Sequence, residues 1–362
     1  MSAARILFCG VGFGHGGLAS SFPPVAAALE RRGFEVKVLV PHAADRGALG
    51  LPPGYETGPA FRWRVRSIWA GRLLRLFHLA TFGRLRFLFA HQVPHDAFVV
   101  YGASCCMEWC GYSSKPTWAF LHSEPEIGLS GPLRPAIVRD LRRSAARAQR
   151  VFAVSNAVRD AWRKLGIESE VLRLPRASPP PPPATARDPR RCVYVGRLSW
   201  EKGVDRLLDA IAKVPELSLD VVGDGPLRGD LERRAAALGL SGRVRFMGWM
   251  DDTAPFLAVA GLAASPSRSE GLSLSILEAL EAGVPVLATD IPGNREALAD
   301  GRYGRLVPDS VDGLAAALAE YARNPRSCDP GCGFATVRAE LSAASAESER
   351  RLAEIAFAFP RS

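Results

Sequence analysis

Five consecutive prolines, Pro179–Pro183, divide this chain of 362 residues into two stretches that cannot share one secondary-structure element. A proline run fixes φ, removes every backbone N–H and favours an extended polyproline II rod, so it belongs to neither a helix nor a central strand. We read 177–190 as a stiff linker rather than as a proline-rich ligand for another domain. About 150–200 residues on either side is an ordinary domain size, so two domains are expected. Their bounds are 1–176 and 191–341, with a helical tail over 342–362.

Both stretches alternate short buried strands with helical patterns. Before the prolines, strands are expected at Arg5–Gly10, Phe34–Val40, Ala97–Tyr101, Thr117–Leu121 and Val151–Val154. A helix is expected over Ser20–Arg32, with Pro23 and Pro24 tolerated only in its opening turn and Gly33 closing it. After the prolines the alternation restarts, with strands at Cys192–Gly196, Leu217–Gly223, Arg243–Gly248, Leu262–Ser265 and Pro285–Thr289. The helices between and after them fall at Val204–Lys213, Leu227–Leu238, Leu272–Ala282 and Val311–Arg323. Such alternation predicts two α/β domains, each a mostly parallel sheet covered on both faces. Ligands of this class bind at the C-terminal ends of the strands, and a cleft between the two domains is the expected place.

Composition narrows the function classes. No apolar run reaches the ~18–20 residues that cross a bilayer, and Met1–Gly10 lacks the features of a signal peptide. The expected location is the cytoplasm, at the inner face of the membrane if the acceptor is lipid-bound. The seven cysteines, Cys9, Cys105, Cys106, Cys110, Cys192, Cys328 and Cys332, show neither paired CxxC spacing nor an accompanying His pair. Idle or buried thiols are expected, not a zinc site or a disulfide framework. The net charge of +9 is uneven. Through Pro175 there are 23 bases against 12 acids, and the remainder holds 23 against 25. The partner met by the first half is therefore expected to be anionic or to lie at an anionic surface.

Three segments carry chemistry. In Ser269-Glu270-Gly271-Leu272-Ser273, continuing to Glu278, a strand ends, a loop carries Glu270 and a helix starts near Ser273. The N–H groups of Gly271, Leu272 and Ser273, with the helix dipole, form an anion site. Glu278 is a helical glutamate among Leu274, Leu277, Ala279 and Leu280. A charge in so apolar a stretch needs a partner, and sugar or ribose hydroxyls would serve; the other reading is a solvated surface glutamate. In Gly196-Arg197-Leu198-Ser199-Trp200-Glu201-Lys202-Gly203, Arg197 offers a planar fork and Lys202 a mobile point charge, a pair suited to two phosphates. Val222-Gly223-Asp224-Gly225-Pro226 is a tight turn at the end of the next strand.

These segments, with Met247-Gly248-Trp249 and Asp290–Glu296, resemble the C-terminal domain of the retaining GT-B glycosyltransferases of family 4, without a break from about Val193 to Val307. The family's E-x7-E signature is Glu270…Glu278. The resemblance implies a GT-B fold of two Rossmann-like domains facing each other across a cleft. It implies a nucleotide-sugar donor, with Glu278 on the ribose, Glu270 on the donor sugar, and Arg197 and Lys202 on the diphosphate. Gly225, Gly271, Leu272 and Ser273 complete the donor-binding set. In the first half, Gly16 and Gly17 resemble the family's glycine-rich loop facing the donor phosphates, and His122 its active-site histidine. The family's Asn-Gly-Val-Asp segment before the linker is absent, and Leu172–Arg176 stands in its place.

The function implied is a retaining, metal-independent transfer of a sugar from a nucleoside-diphosphate sugar to a hydroxyl acceptor. Glycolipid, polysaccharide and glycoconjugate synthesis are the contexts expected. The transition state is oxocarbenium-like, and the protein's task is to neutralise charge on the diphosphate and fix geometry. No cofactor or metal is expected, since Asp251-Asp252 reads as helix N-capping. The alternative is a GT-B nucleotide-sugar epimerase or a non-catalytic nucleotide-sugar-binding protein. Gly12-x-Gly14-x-x-Gly17 matches a dinucleotide fingerprint, but the second strand ends in Val40-Pro41-His42 without the acidic residue such a site needs.

The acceptor side is written less clearly. Arg62–Phe89 carries seven arginines and no acidic residue, interleaved with Trp63, Trp69, Phe77, Phe82, Phe87 and Phe89. That pattern suits an interfacial contact with an anionic membrane and a lipid-linked acceptor; the other reading is a pair of ordinary domain helices. Nucleic acid is not expected, as no recognition motif accompanies the charge.

Overall fold

Short apolar runs rich in Val, Phe and Leu form two separate parallel sheets. The computed structural model describes residues 3–9, 17–39, 56–57, 93–102, 104–111, 113–125, 134–176 and 187–357. Gly16, the 62–89 stretch and the proline run lie outside the described residues.

In the first sheet the strands are β1 (Arg5–Cys9), β2 (Glu35–Leu39), β3 (Glu56–Thr57), β4 (Ala97–Gly102), β5 (Thr117–Leu121), β6 (Arg150–Ala153) and β7 (Glu170–Val171). Their order is β3-β2-β1-β4-β5-β6-β7, and every pair is parallel. All residues of β4 and β5 are buried, as expected of strands covered on both faces. The second sheet holds β8 (Asp188–Val195), β9 (Ser218–Val222), β10 (Val244–Gly248), β11 (Ala260–Ser265), β12 (Val286–Thr289) and β13 (Arg305–Val307). Its order, β10-β9-β8-β11-β12-β13, is again parallel throughout. The order in which strands are added reverses once in each sheet, between β1 and β4 and between β8 and β11. These are the topological switch points, where loops diverge to open a crevice.

Two core layers flank each sheet. In the second, Leu207, Leu208, Ile211, Leu231, Leu314 and Leu318 pack on one face, and Ile276, Leu277, Leu280, Leu257, Leu298 and Val337 on the other. The helix Val311–Arg323 opens with Ser310, whose side chain accepts the Gly313 N–H, a cap worth ~1 kcal/mol.

One expectation in the first sheet is corrected. The helix after β1 runs Gly17–Glu30, so Pro23 and Pro24 lie inside it and not in its opening turn. Two N–H donors are lost there. Burial of Phe22, Val25, Ala26 and Leu29 in the core holds the helix in place instead.

The chain divides into two compact units, Met1–Arg176 with Ser345–Ser362, and Ala177–Ala344. The last helix, Phe334–Phe357, passes from the second to the first, where Leu352, Ile355 and Ala356 join the core. Among the described residues no helix is long and apolar enough to cross a membrane.

Candidate active site

The loops that leave β8 and β11 meet at the second sheet's switch point. Gly196–Gly203 follows β8, and Pro266–Ser273 follows β11. Lys202 and Glu270, separated by 68 positions, are joined there: Lys202 Nζ donates to both Glu270 oxygens at 2.7 and 2.8 Å. Ser267 Oγ donates to Glu270 Oε1 at 2.8 Å. The Glu270 side chain is only 7% exposed, so these donors replace the water its charge gave up. A buried carboxylate left without them would cost several kcal/mol.

Three further contacts fix this pair. Arg268 holds Asp205 with two bonds of 2.8 and 2.6 Å, stacks its guanidinium on exposed Trp200 and donates to the Trp200 carbonyl. Its backbone N–H donates to the Glu201 carbonyl at 2.8 Å, stitching the two loops together. Gly203 sits at φ 67°, and a Cβ there would lie 2.1 Å from the Pro266 oxygen. The third support comes from behind. Thr289, at the end of β12, donates Oγ1 to the Ser267 carbonyl at 2.5 Å and accepts from Asn294 Nδ2 at 3.2 Å. Asn294 is fully buried, and its neighbour Gly293 approaches the Glu270 backbone so closely that a Cβ would meet the oxygen at 2.3 Å.

Arg197 is exposed and makes no salt bridge with a described residue. Its carbonyl accepts from the buried Tyr194 hydroxyl at 2.8 Å, which anchors the turn while leaving the guanidinium unengaged. Burial, with Glu270 and Glu201 nearby, holds that phenol well above its usual range. Ser273 holds the N-cap position of the helix Leu274–Glu281, and Glu278 lies half-buried about one turn in. Neither Leu272 nor Ser273 gives its N–H to a described residue. Gly225 donates to Asp224 Oδ1 and packs on the backbone of Leu198, so the Val222–Pro226 turn abuts the Arg197 loop. Asp252 accepts the Ala254 N–H at the start of a helix, and Asp251 accepts from the Trp249 indole. Among the described residues no group of three His, Cys, Asp or Glu is placed to hold a metal.

The remaining expected positions belong to the first unit. His122 follows β5 at the same edge of its sheet as Gly17, which opens the helix after β1. Its ring stands edge-on to Tyr101 with centroids 4.2 Å apart, and the Tyr101 hydroxyl pairs with Ser21 at 2.8 Å. His122 Nε2 is buried and has no hydrogen-bond partner among the described residues. Burial pushes its pKa down to about 3, so the imidazole is neutral at physiological pH.

The pairing of Lys202 with Glu270, and the supports Tyr194, Ser267, Arg268, Thr289 and Asn294, were not part of the sequence reading. The signal for Thr289 and Asn294 was weak: two polar residues closing an apolar strand and its following turn.

Comparison with known proteins follows this division. Residues 15–197 match the model described as Glycosyltransferase Family 4, and residues 189–324 the one described as Glycosyl transferases group 1. The chain is 38% identical over 135 residues to lipopolysaccharide core biosynthesis glycosyltransferase LpsE of Rhizobium meliloti (strain 1021), covering 37% of this chain but only 40% of LpsE. It is 29% identical over 331 residues to phosphatidyl-myo-inositol mannosyltransferase of Mycobacterium tuberculosis (strain ATCC 25618 / H37Rv), covering 84% and 82% of the two chains. The crystal structure of Anabaena Alr3699/HepE with UDP and glucose superposes with a TM-score of 0.78 at 20% identity, over 98% of this chain and 100% of that one. The likeness shows the fold: two Rossmann-like units, as expected.

Proposed function

The chain belongs to glycosyltransferase family 4, and from that membership we propose that it transfers a sugar from a nucleoside-diphosphate sugar to a hydroxyl acceptor. The observation that carries this reading is the Lys202–Glu270 pair at the switch point, beside the unengaged Arg197 guanidinium. We take an ammonium, a guanidinium and the amides of Leu272 and Ser273 as the groups facing the diphosphate as it gains charge on leaving. In this reading Arg197, Lys202 and the Gly271–Ser273 amides hold the diphosphate, with Gly16, Gly17 and Gly225 leaving room for it. Glu278 binds the ribose, and Glu270 the donor sugar. His122, neutral at physiological pH, steadies the sugar hydroxyls.

The finer assignments belong to the same proposal. Transfer proceeds with retention and without a metal ion or a cofactor, the cations of the chain doing the electrostatic work. The donor carries UDP or GDP. HepE binds UDP and glucose in its crystal structure, which makes a UDP-sugar the first donor to try. The acceptor is a glycolipid, polysaccharide or other glycoconjugate hydroxyl, reached in the cytoplasm, with 62–89 as a membrane contact.

The test is a panel of UDP- and GDP-sugars with and without EDTA, followed for nucleoside diphosphate release and then by NMR of the anomeric proton in the product. Release that EDTA leaves intact, with the donor's anomeric configuration kept, is the expected result. Loss of release in EDTA would overturn metal independence, and an inverted product would overturn retention.

A further inference from the structure

We propose that Glu270 weakens the hold of this site on a bare nucleoside diphosphate relative to a nucleotide sugar, by competing with the diphosphate for Lys202. This inference rests on the donor assignment above and deepens it. That assignment gives Lys202 to the diphosphate and Glu270 to the sugar, but the structure joins the two to each other. Lys202 Nζ, which has three N–H donors, reaches both Glu270 oxygens, at 2.7 and 2.8 Å. An ammonium that turns to grip a phosphate gives up one or both of those bonds.

Glu270 cannot make good that loss from the side chains around it. It is buried, and besides Lys202 its side-chain donor among the described residues is Ser267 Oγ, which serves Oε1 alone at 2.8 Å. The cations beside these loops are committed elsewhere. Arg268 holds Asp205 through two bonds, and Arg206 meets Asp309 and donates to the Pro266 carbonyl at 2.6 Å. A buried carboxylate that loses a donor is destabilised unless the ligand supplies another. A nucleotide sugar carries hydroxyls next to its diphosphate and can repair the loss. A bare nucleoside diphosphate has no sugar hydroxyl at that end, and its own negative charge adds repulsion. A site whose buried polar group one ligand leaves unpaired discriminates against that ligand. Glu270 is therefore a specificity-determining residue, and it eases the departure of the nucleotide once the sugar has been transferred.

The full chain is to be titrated calorimetrically with UDP, with GDP and with the nucleotide sugar that best supports release. Glu270→Gln frees Lys202 and removes the carboxylate's charge. It should bind the nucleoside diphosphate about tenfold tighter, and tighten the nucleotide sugar much less, although transfer falls. Ser267→Ala keeps the charge but takes away the other donor to Glu270, so the nucleoside diphosphate should bind about threefold weaker. Opposite signs from two neighbouring side chains separate competition for Lys202 from general disruption of the loop. Plain charge repulsion would leave Ser267→Ala unchanged. Where Glu270→Gln does not fold, the Ser267→Ala result decides alone. A wild type that binds neither UDP nor GDP overturns the donor assignment and this inference with it. Three results overturn this inference while the donor assignment stands: no tightening of the nucleoside diphosphate in Glu270→Gln, equal tightening of both ligands there, or no weakening in Ser267→Ala.

Discussion

Glu270 is a charge kept out of water by design of its neighbours: one ammonium and one hydroxyl occupy its oxygens. Removing Lys202 leaves that carboxylate short of its main donor. Lys202→Ala should therefore lose about 1–3 kcal/mol in urea unfolding as well as activity. An unchanged stability would mean that the pair is not formed in solution. His122 makes a different prediction at this scale. Its pKa falls from 6.5 in the unfolded chain to about 3 in the fold, so the unfolded state takes up the proton first. The stability this neutral ring contributes is complete above pH ~6.5 and is lost progressively as pH falls towards ~3. His122→Gln removes the effect. The gap in unfolding free energy between wild type and variant should narrow from pH 7 to 5, and a gap that does not move with pH would contradict the burial.

At the scale of elements, the active loops are held by close backbone approach more than by side chains. Gly203→Ala places a methyl 2.1 Å from the Pro266 oxygen at a left-handed φ, and a loss of ~2–4 kcal/mol is expected. Gly33 also has a positive φ, 82°, but nothing within 4 Å of its missing Cβ. Gly33→Ala should cost only ~1 kcal/mol. Denaturant melts of the two variants compare clash plus strain with strain alone; equal costs would show that the two loops are not packed as described. Behind the same loops, Asn294→Ala should reduce turnover more than donor binding, because it loosens Thr289 and Ser267 without touching the diphosphate. Much of this layer was legible in the sequence. Thr117–Leu121 and Val311–Arg323 were expected with the bounds they have, because Pro116 precedes the strand, and Ser310 and Asn324-Pro325 bracket the helix. The helix at Gly17 was misplaced at its start, because local proline chemistry was outweighed by the burial of Phe22 and its neighbours. Lys202 and Glu270 were each singled out, but their union was not: no spacing rule reaches across 68 positions. Only the order of strands, which puts β8 beside β11, brings them together.

At the scale of the molecule, each unit carries a parallel sheet with one switch point. The uneven charge read from the sequence takes a physical form in the first unit, as arginines of the helix Arg134–Ala145 that form no ion pair with a described residue. In the second, most of the arginines are spent on carboxylates within the fold. The proline run falls at the division between the two compact units, near Arg176 and Ala177. A nucleotide that binds only the native second unit should raise the melting temperature of the whole chain, by about 2.7 kcal/mol of stability at a hundredfold excess over Kd. UDP and GDP compared side by side then identify the base, and no shift with either would weaken the donor assignment.

The central claim is that Lys202 and Glu270 form the working core of a sugar-nucleotide transfer site. Its most direct measurement is nucleoside diphosphate release by wild type, Lys202→Ala and Glu270→Ala on the best donor of the panel. The account predicts release by the wild type and a fall of roughly a hundredfold or more in each variant, measured where both remain folded. No release from any donor, or release that survives both substitutions, would contradict it.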